Sequence, residues 1–385
     1  MEKPALSYGP MQIPEFNLVR LIQTVFRPKP AERVAVFIDL PNPADVHGWK
    51  FLSDPKLTTQ RIAYEYFYQG LLEHKAQLPF SLVEFYAYAP TGGSNLELPE
   101  TVIASDGRTL RLVEDVLSHL DIVLYLSTFS ATAPLTALAK KMGFRGATMH
   151  GCNETILRTG LARDYSDVSV KAERFRQALT KCDDVVVEFE TLGKQYRLTL
   201  DLGRQEAQKS HGLCHTPGEI ANLPAGEIYW VPTGARGQFP VKFKEDGTLG
   251  LMDVADGRIQ NATLLRGNGQ TLEKALRLFR DDPATGQLGE LGLGTQVLPF
   301  ANADIQDEKI LGTIHVATGR DDHLGGKIDA AKFKHKKNAT HEDILFAPHK
   351  TPEIKLNGVW MHKDNREVLL IKDYQPTDFV KQVAM

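Results

Sequence analysis

Near residue 183 the texture of the chain changes, and that change constrains the fold more than any other feature of the sequence. Before it, apolar runs suited to buried strands (34–40, 82–88, 122–126 and 147–149) alternate with segments whose apolar residues recur every three or four positions (58–72, 110–120 and 133–142). Strands that alternate with helices imply a parallel, doubly wound sheet. One more helix, 170–179, closes this half. Beyond it, 185–189 and 196–202 flank a Gly-Lys turn and read as a hairpin, and short strands with Gly, Pro and Asp turns follow, interrupted by one helix at 272–279. At 385 residues the chain is also long for one core. The expectation is an α/β N-terminal domain with a mostly parallel sheet over 1–182, and a β-rich α+β domain over 183–385.

Several function classes are disfavoured. Nucleotide-binding sheets carry Gly-x-Gly-x-x-Gly where a strand runs into a helix, and no strand of the first half does so. The cluster Gly289-Glu290-Leu291-Gly292-Leu293-Gly294 has the glycines in another order, so no dinucleotide cofactor is expected. A net charge of -3 and the absence of a long basic stripe argue against nucleic acid. The short run Lys332-Phe333-Lys334-His335-Lys336-Lys337 reads as a solvated loop. No segment reaches the roughly eighteen apolar residues that span a bilayer. Met1-Glu2-Lys3-Pro4 does not start a secretory leader, and the widely spaced Cys152, Cys182 and Cys214 suit reduced thiols, so a cytoplasmic location is expected.

Four places in the second half hold candidate metal ligands. Glu227 opens a strand after the Pro/Gly turn 223–226. Glu290 lies among small residues that let an ion or a backbone approach closely. Asp307-Glu308 leads into the β-branched run around His315, where alternation sets His315 opposite Ile314 and Val316. His341 and Asp343, two apart, would share a strand face. Glu227, Glu290, Glu308 and Asp343 together carry about four negative charges when ionised, which two divalent cations would balance. The imidazoles of His315 and His341 suit zinc, cobalt or manganese. Two such ions, roughly 3.5–4 Å apart, can polarise a carbonyl and activate water.

Taken in order, these four segments resemble the thermophilic-type metallo-aminopeptidase family, which includes aminopeptidase T, aminopeptidase S and the PepS enzymes. Its archaeal-like branch carries Leu-Pro-x-Gly-Glu-Val, Gly-Glu-Leu-Gly-x-Gly-Thr, Asp-Glu-x-x-Leu-Gly-Thr-x-His and a final His-x-Asp. Each has a counterpart here, with Ile228 in place of the valine. The resemblance covers the second half closely and the first in architecture. It implies that Glu227, Glu290, Glu308, His315, His341 and Asp343 hold two divalent ions per chain, with Glu290 between them. It also implies a homodimer whose enclosed cavity admits small peptides. The chain departs from the family at Asp322, where aminopeptidase T-like members place a tyrosine, and at Gln296, where Asn is frequent. The loop through 325–337 is also long.

The resulting expectation is a metal-dependent aminopeptidase that removes the N-terminal residue of small peptides, with Glu227 also shuttling a proton. One rival is a mononuclear non-haem iron(II) ring-cleaving dioxygenase using His315, His341 and Asp343, the arrangement of a dihydroxypyridine dioxygenase that resembles this family in fold. Another is a non-catalytic binding protein on the same scaffold. Three further features have plainer readings. His211-Gly212-Leu213-Cys214-His215 lacks a partner pair at zinc-finger spacing and reads as a loop lining the pocket. The hydroxyls of Ser127 to Thr132 read as helix capping before Pro134. His323, His335, His349 and His362 read as solvated loop positions.

Overall fold

The computed structural model describes residues 13–384; Met1-Glu2-Lys3-Pro4 lies outside the described residues. In the first half, Arg33–Asp39 sits at the centre of a seven-stranded sheet, bonded in parallel to Leu82–Tyr88 on one side and Ile122–Leu126 on the other. Arg145–Thr148 extends the parallel run, and Thr101–Ala104 and Thr109–Arg111 add antiparallel strands at the far edge. The other edge is Ile220–Asn222, which comes from beyond residue 183 and pairs in parallel with Arg145–Thr148.

Both faces of this sheet are covered, as parallel sheets require. Val34, Val36 and Ile38 pack on one side with Phe85 and Leu124. Ala35 and Phe37 pack on the other with Tyr86 and Tyr125, the Phe37 and Tyr125 rings stacking with centroids 4.4 Å apart. The helical run expected at 58–72 is present as Thr58–Ile62, a widened turn Ala63–Tyr68, and Gln69–Glu73. The helix expected at 110–120 is shorter. The strand Thr109–Arg111 takes its start, and Leu112–Val116 and Leu117–His119 form brief helical turns.

Apart from Ile220–Asn222, the described strands of the second half pair antiparallel. Eight strands, from Arg258–Arg266 at one edge to Gln375–Pro376 at the other, form one sheet that contains the expected hairpin as Asp184–Thr191 and Lys194–Asp201. A second sheet runs in the order His341–Phe346, Ile314–Gly319, Leu288–Gly294, Glu227–Trp230, Gln208–Ser210. Ile228, Trp230, Leu291, Leu293, Ile314 and Val316 share one core with Val185, Val187, Phe189 and Leu198 of the eight-stranded sheet. Because strand side chains alternate, burying that face commits the residues between them to the other face. The architecture is therefore mixed α/β, with one largely parallel sheet and a β-rich part. Among the described residues no helix is long and apolar enough to cross a membrane.

Candidate metal centre

The register of the five-stranded sheet assembles the site. Glu290 stands opposite Ala317, which stands opposite Asp343; Gly292 stands opposite His315; Glu227 stands opposite Gly294. Directly opposed residues share a face. Glu227, Glu290, His315, His341 and Asp343 therefore emerge together on the side away from the apolar core. The glycines have a steric role. A Cβ on Gly292 would run into the imidazole of His315, so that ring fits only because position 292 has no side chain. Gly226, at φ +119°, brings its backbone against Gln296 and sets the turn into the Glu227 strand.

Glu308 arrives by another route. Asp304–Asp307 forms a short helix, Glu308 caps its C-terminus, and its buried carboxylate turns toward the same cluster. The adjacent acid Asp307 is committed elsewhere. It accepts from the Ala301 amide at 2.7 Å and lies 2.9 Å from His349 Nε2.

All six expected donors converge. Three groups each offer ligand atoms within 4.8 Å of one another: Glu227, Glu290 and His315; Glu290, His341 and Asp343; Glu308, His315 and Asp343. Glu290 divides its oxygens, with Oε1 3.5 Å from His315 Nε2 and Oε2 3.0 Å from His341 Nε2. His341 Nδ1 lies 2.6 Å from the Arg320 carbonyl, which fixes that nitrogen as the N–H and leaves Nε2 for the cluster.

The sequence reading missed Lys309. Its ammonium is 1% exposed and bonds Glu227 Oε1 at 2.5 Å and Glu308 Oε1 at 2.6 Å. A lysine beside a β-branched run ordinarily signals a solvated edge, and nothing in the sequence marks it as internal. It removes one of the four negative charges counted from sequence and anchors one oxygen of each glutamate. Glu227 Oε2 is left buried without a hydrogen-bond partner, 3.7 Å from His315 Nε2. An unpaired carboxylate oxygen costs about 1–3 kcal/mol or more when buried, and a cation at that point would relieve it. The donor set thus fits a divalent metal centre.

Electrostatics agree with that fit. Burial opposes ionisation of Glu290, yet His315 and His341 hold its carboxyl far below the usual range. Burial alone would neutralise His315, but the hydrogen bond to Glu290 and the charges of Glu308 and Glu227 lift it to about 10. His341 is raised well above its usual value against burial, by Asp343 and Glu290. Glu308 is pushed up to about 7 by burial, against the pull of Lys309. Without metal, the cluster neutralises itself with imidazolium protons that an entering cation must displace.

The cluster forms one wall of a cavity of about 320 Å³. The first half supplies the opposite wall through segments that follow its parallel strands, among them Ser130, Thr132 and His150. At the start of the helix Thr132–Met142 the N-cap residue is Ala131, which has no capping side chain, but Ser130 Oγ accepts from the Thr132 amide at 3.4 Å, so one of the expected hydroxyls does cap it. Asn95 Oδ1, from a distant loop, also accepts from the Ala133 amide at 2.8 Å, and Thr132 Oγ1 lies 2.8 Å from Thr148 Oγ1. His211 does line the cavity, 3.2 Å from Ser169 Oγ. Three histidines assigned to solvated loops are not there: His362 lies in the strand Lys355–Lys363, 2.7 Å from Asp184 Oδ1, and the other two are further inside. His349 packs on Phe300 and pairs with Asp307, and His323 lies in the cavity wall, edge-on to His341 at 4.9 Å. Asp322, where the sequence resemblance leads one to expect a tyrosine, is tied to Arg320 by contacts of 2.7 and 3.2 Å.

No protein-family model matches the chain, and neither does any curated protein. Among solved structures it is similar to the 2,5-dihydroxypyridine dioxygenase of Pseudomonas putida, over 94% of this chain and 97% of that one, with TM-score 0.59 and 15% identity. That likeness establishes a shared fold. AmpT from Thermus thermophilus aligns over 93% of this chain and 98% of its own, with TM-score 0.49 and 11% identity.

Proposed function

We propose that the chain is a metal-dependent aminopeptidase that releases the N-terminal residue of small peptides at a centre of two divalent ions, zinc, cobalt or manganese. The observation that carries this reading is the split of Glu290, whose two oxygens face different histidines within overlapping donor groups. Overlap through a shared carboxylate suits two neighbouring cations better than one. Glu227, Glu290 and His315 would hold one ion and His341 with Asp343 the other, while Glu308 reaches His315 and Asp343. Bound there, divalent ions polarise a carbonyl oxygen and lower the pKa of water.

The chain's own residues supply the rest. Lys309 fixes Glu227 through Oε1 and turns Oε2 into the cluster, where it would be a ligand atom in the resting centre and, when released from the ion, would take a proton from water and return it to the leaving amine. The remaining carboxylate charge favours the positively charged peptide terminus, which restricts cleavage to the first residue. A cavity of about 320 Å³ is the size of a small ligand site. The reading includes a homodimer, which light scattering would test.

The iron(II) dioxygenase reading places both histidines and Asp343 on one ion, whereas His315 and His341 fall in different donor groups here. The deciding experiment is release of amino acid from dipeptides before and after exhaustive chelation. Activity is expected to vanish, return with zinc, cobalt or manganese, and be absent in His315→Ala. Activity indifferent to chelation and to that substitution contradicts the proposal.

A further inference from the structure

Among the described residues, four buried polar atoms without a hydrogen-bond partner belong to residues lining the cavity: Glu227 Oε2, His315 Nδ1, His150 Nδ1 and His323 Nδ1. The first two belong to the candidate donors. His150 and His323 belong to none of the donor groups, and buried polar atoms are rarely left unpaired in a native protein without a reason.

Both residues also line the cavity and are only partly buried, so the ring edge open to a ligand is the one away from the buried Nδ1. His150 follows Arg145–Thr148, beyond the carboxyl end of a parallel strand, where open α/β sheets hold their ligands. His323 comes from the opposite half, in the short turn Asp322–Leu324, with its ring against His341. The two imidazoles thus reach the cavity from its two walls, beside the carboxylate cluster. A neutral imidazole offers one donor and one acceptor. Much of the surrounding wall is hydroxyl and amide, including Ser94, Asn95, Ser130 and Asn222.

We propose that His150 and His323 are substrate-binding residues that clasp a short peptide from opposite sides, and that the preferred peptide has a polar leading side chain. The claim deepens the aminopeptidase reading and rests on it. It also accounts for Asp322: with that carboxylate bound to Arg320, the turn presents His323 and Leu324 to the cavity, and His323 is the polar one of the two.

The test is calorimetric titration of seryl-serine and leucyl-leucine into chelator-treated protein, where no hydrolysis occurs. Wild type, His150→Leu, His150→Gln, His323→Leu and His323→Gln are compared. Seryl-serine is expected to bind wild type more tightly than leucyl-leucine does. Each leucine variant should lose about 5–20-fold in affinity, the worth of one or two hydrogen bonds, and each glutamine variant should recover part of it. Because both leucine variants remove an unpaired buried polar atom, their unfolding midpoints should be unchanged or raised. Affinity within twofold of wild type in all four variants, or no binding of seryl-serine to wild type, overturns the proposal. Wild-type metal content and amino acid release, measured in parallel, report separately on the aminopeptidase reading.

Discussion

Replacing Lys309 by methionine leaves Glu227 and Glu308 facing each other without the ammonium that bonds both. All three side chains are buried, and removing one partner of a buried ion group costs about 3–5 kcal/mol when the remaining charge has no other partner. The loss should depend on pH, and the sign follows from Glu308. Its folded pKa of about 7 lies above the ordinary 4.5, so the folded state binds this proton more tightly than the unfolded state. The stability linked to that proton is present at low pH and lost as pH rises through the folded value. Lys309 opposes the rise, so its removal moves the loss to higher pH. In chelator-treated protein the deficit of Lys309→Met should be at most about 1–2 kcal/mol near pH 5, where Glu308 takes up a proton, and approach about 3–5 kcal/mol near pH 8. Metal should narrow the gap, because a cation at Glu227 Oε2 and Glu308 compensates the same charge. Equilibrium urea unfolding at both pH values, with and without zinc, reads all three quantities. A deficit equal at both pH values, or none at pH 8, would refute the assignment of Lys309 as an internal counterion.

Two further outcomes follow from the geometry. Gly292→Ala places a methyl group in the His315 ring, so metal affinity should fall at least about tenfold while secondary structure by circular dichroism is retained; unchanged affinity would mean that the ring lies elsewhere. Metal uptake near pH 7.5 should release about one to two protons per chain, because His315 and His341 are held protonated until a cation replaces those protons. Calorimetry in buffers of different ionisation enthalpy counts them, and zero release would contradict the self-neutralised cluster.

Much of this was legible because it rests on periodicity. The alternation of strands and helices marked a largely parallel sheet and the short strands after it a β-rich part, and alternation around His315 and His341 placed the donors opposite an apolar face. The glycines of 289–294 signalled close approach, though only the register showed that Gly292 makes room for His315. What sequence did not carry is long-range. Ile220–Asn222 joins the first sheet from the second half, a pairing with no local signature. Lys309 looks like an ordinary strand-edge lysine until Glu227, 82 residues away, is folded against it. His150, His323 and the Asn95 cap gain their roles only when the two halves close on one cavity.

The most direct test of the central claim is the number and spacing of bound ions, by anomalous diffraction from crystals of zinc- or manganese-loaded protein. Two ions roughly 3.5–4 Å apart are expected, with Glu290 contributing one oxygen to each and both histidines bound on different ions. A single ion held by His315, His341 and Asp343, with Glu227 and Glu308 left on Lys309, would contradict it.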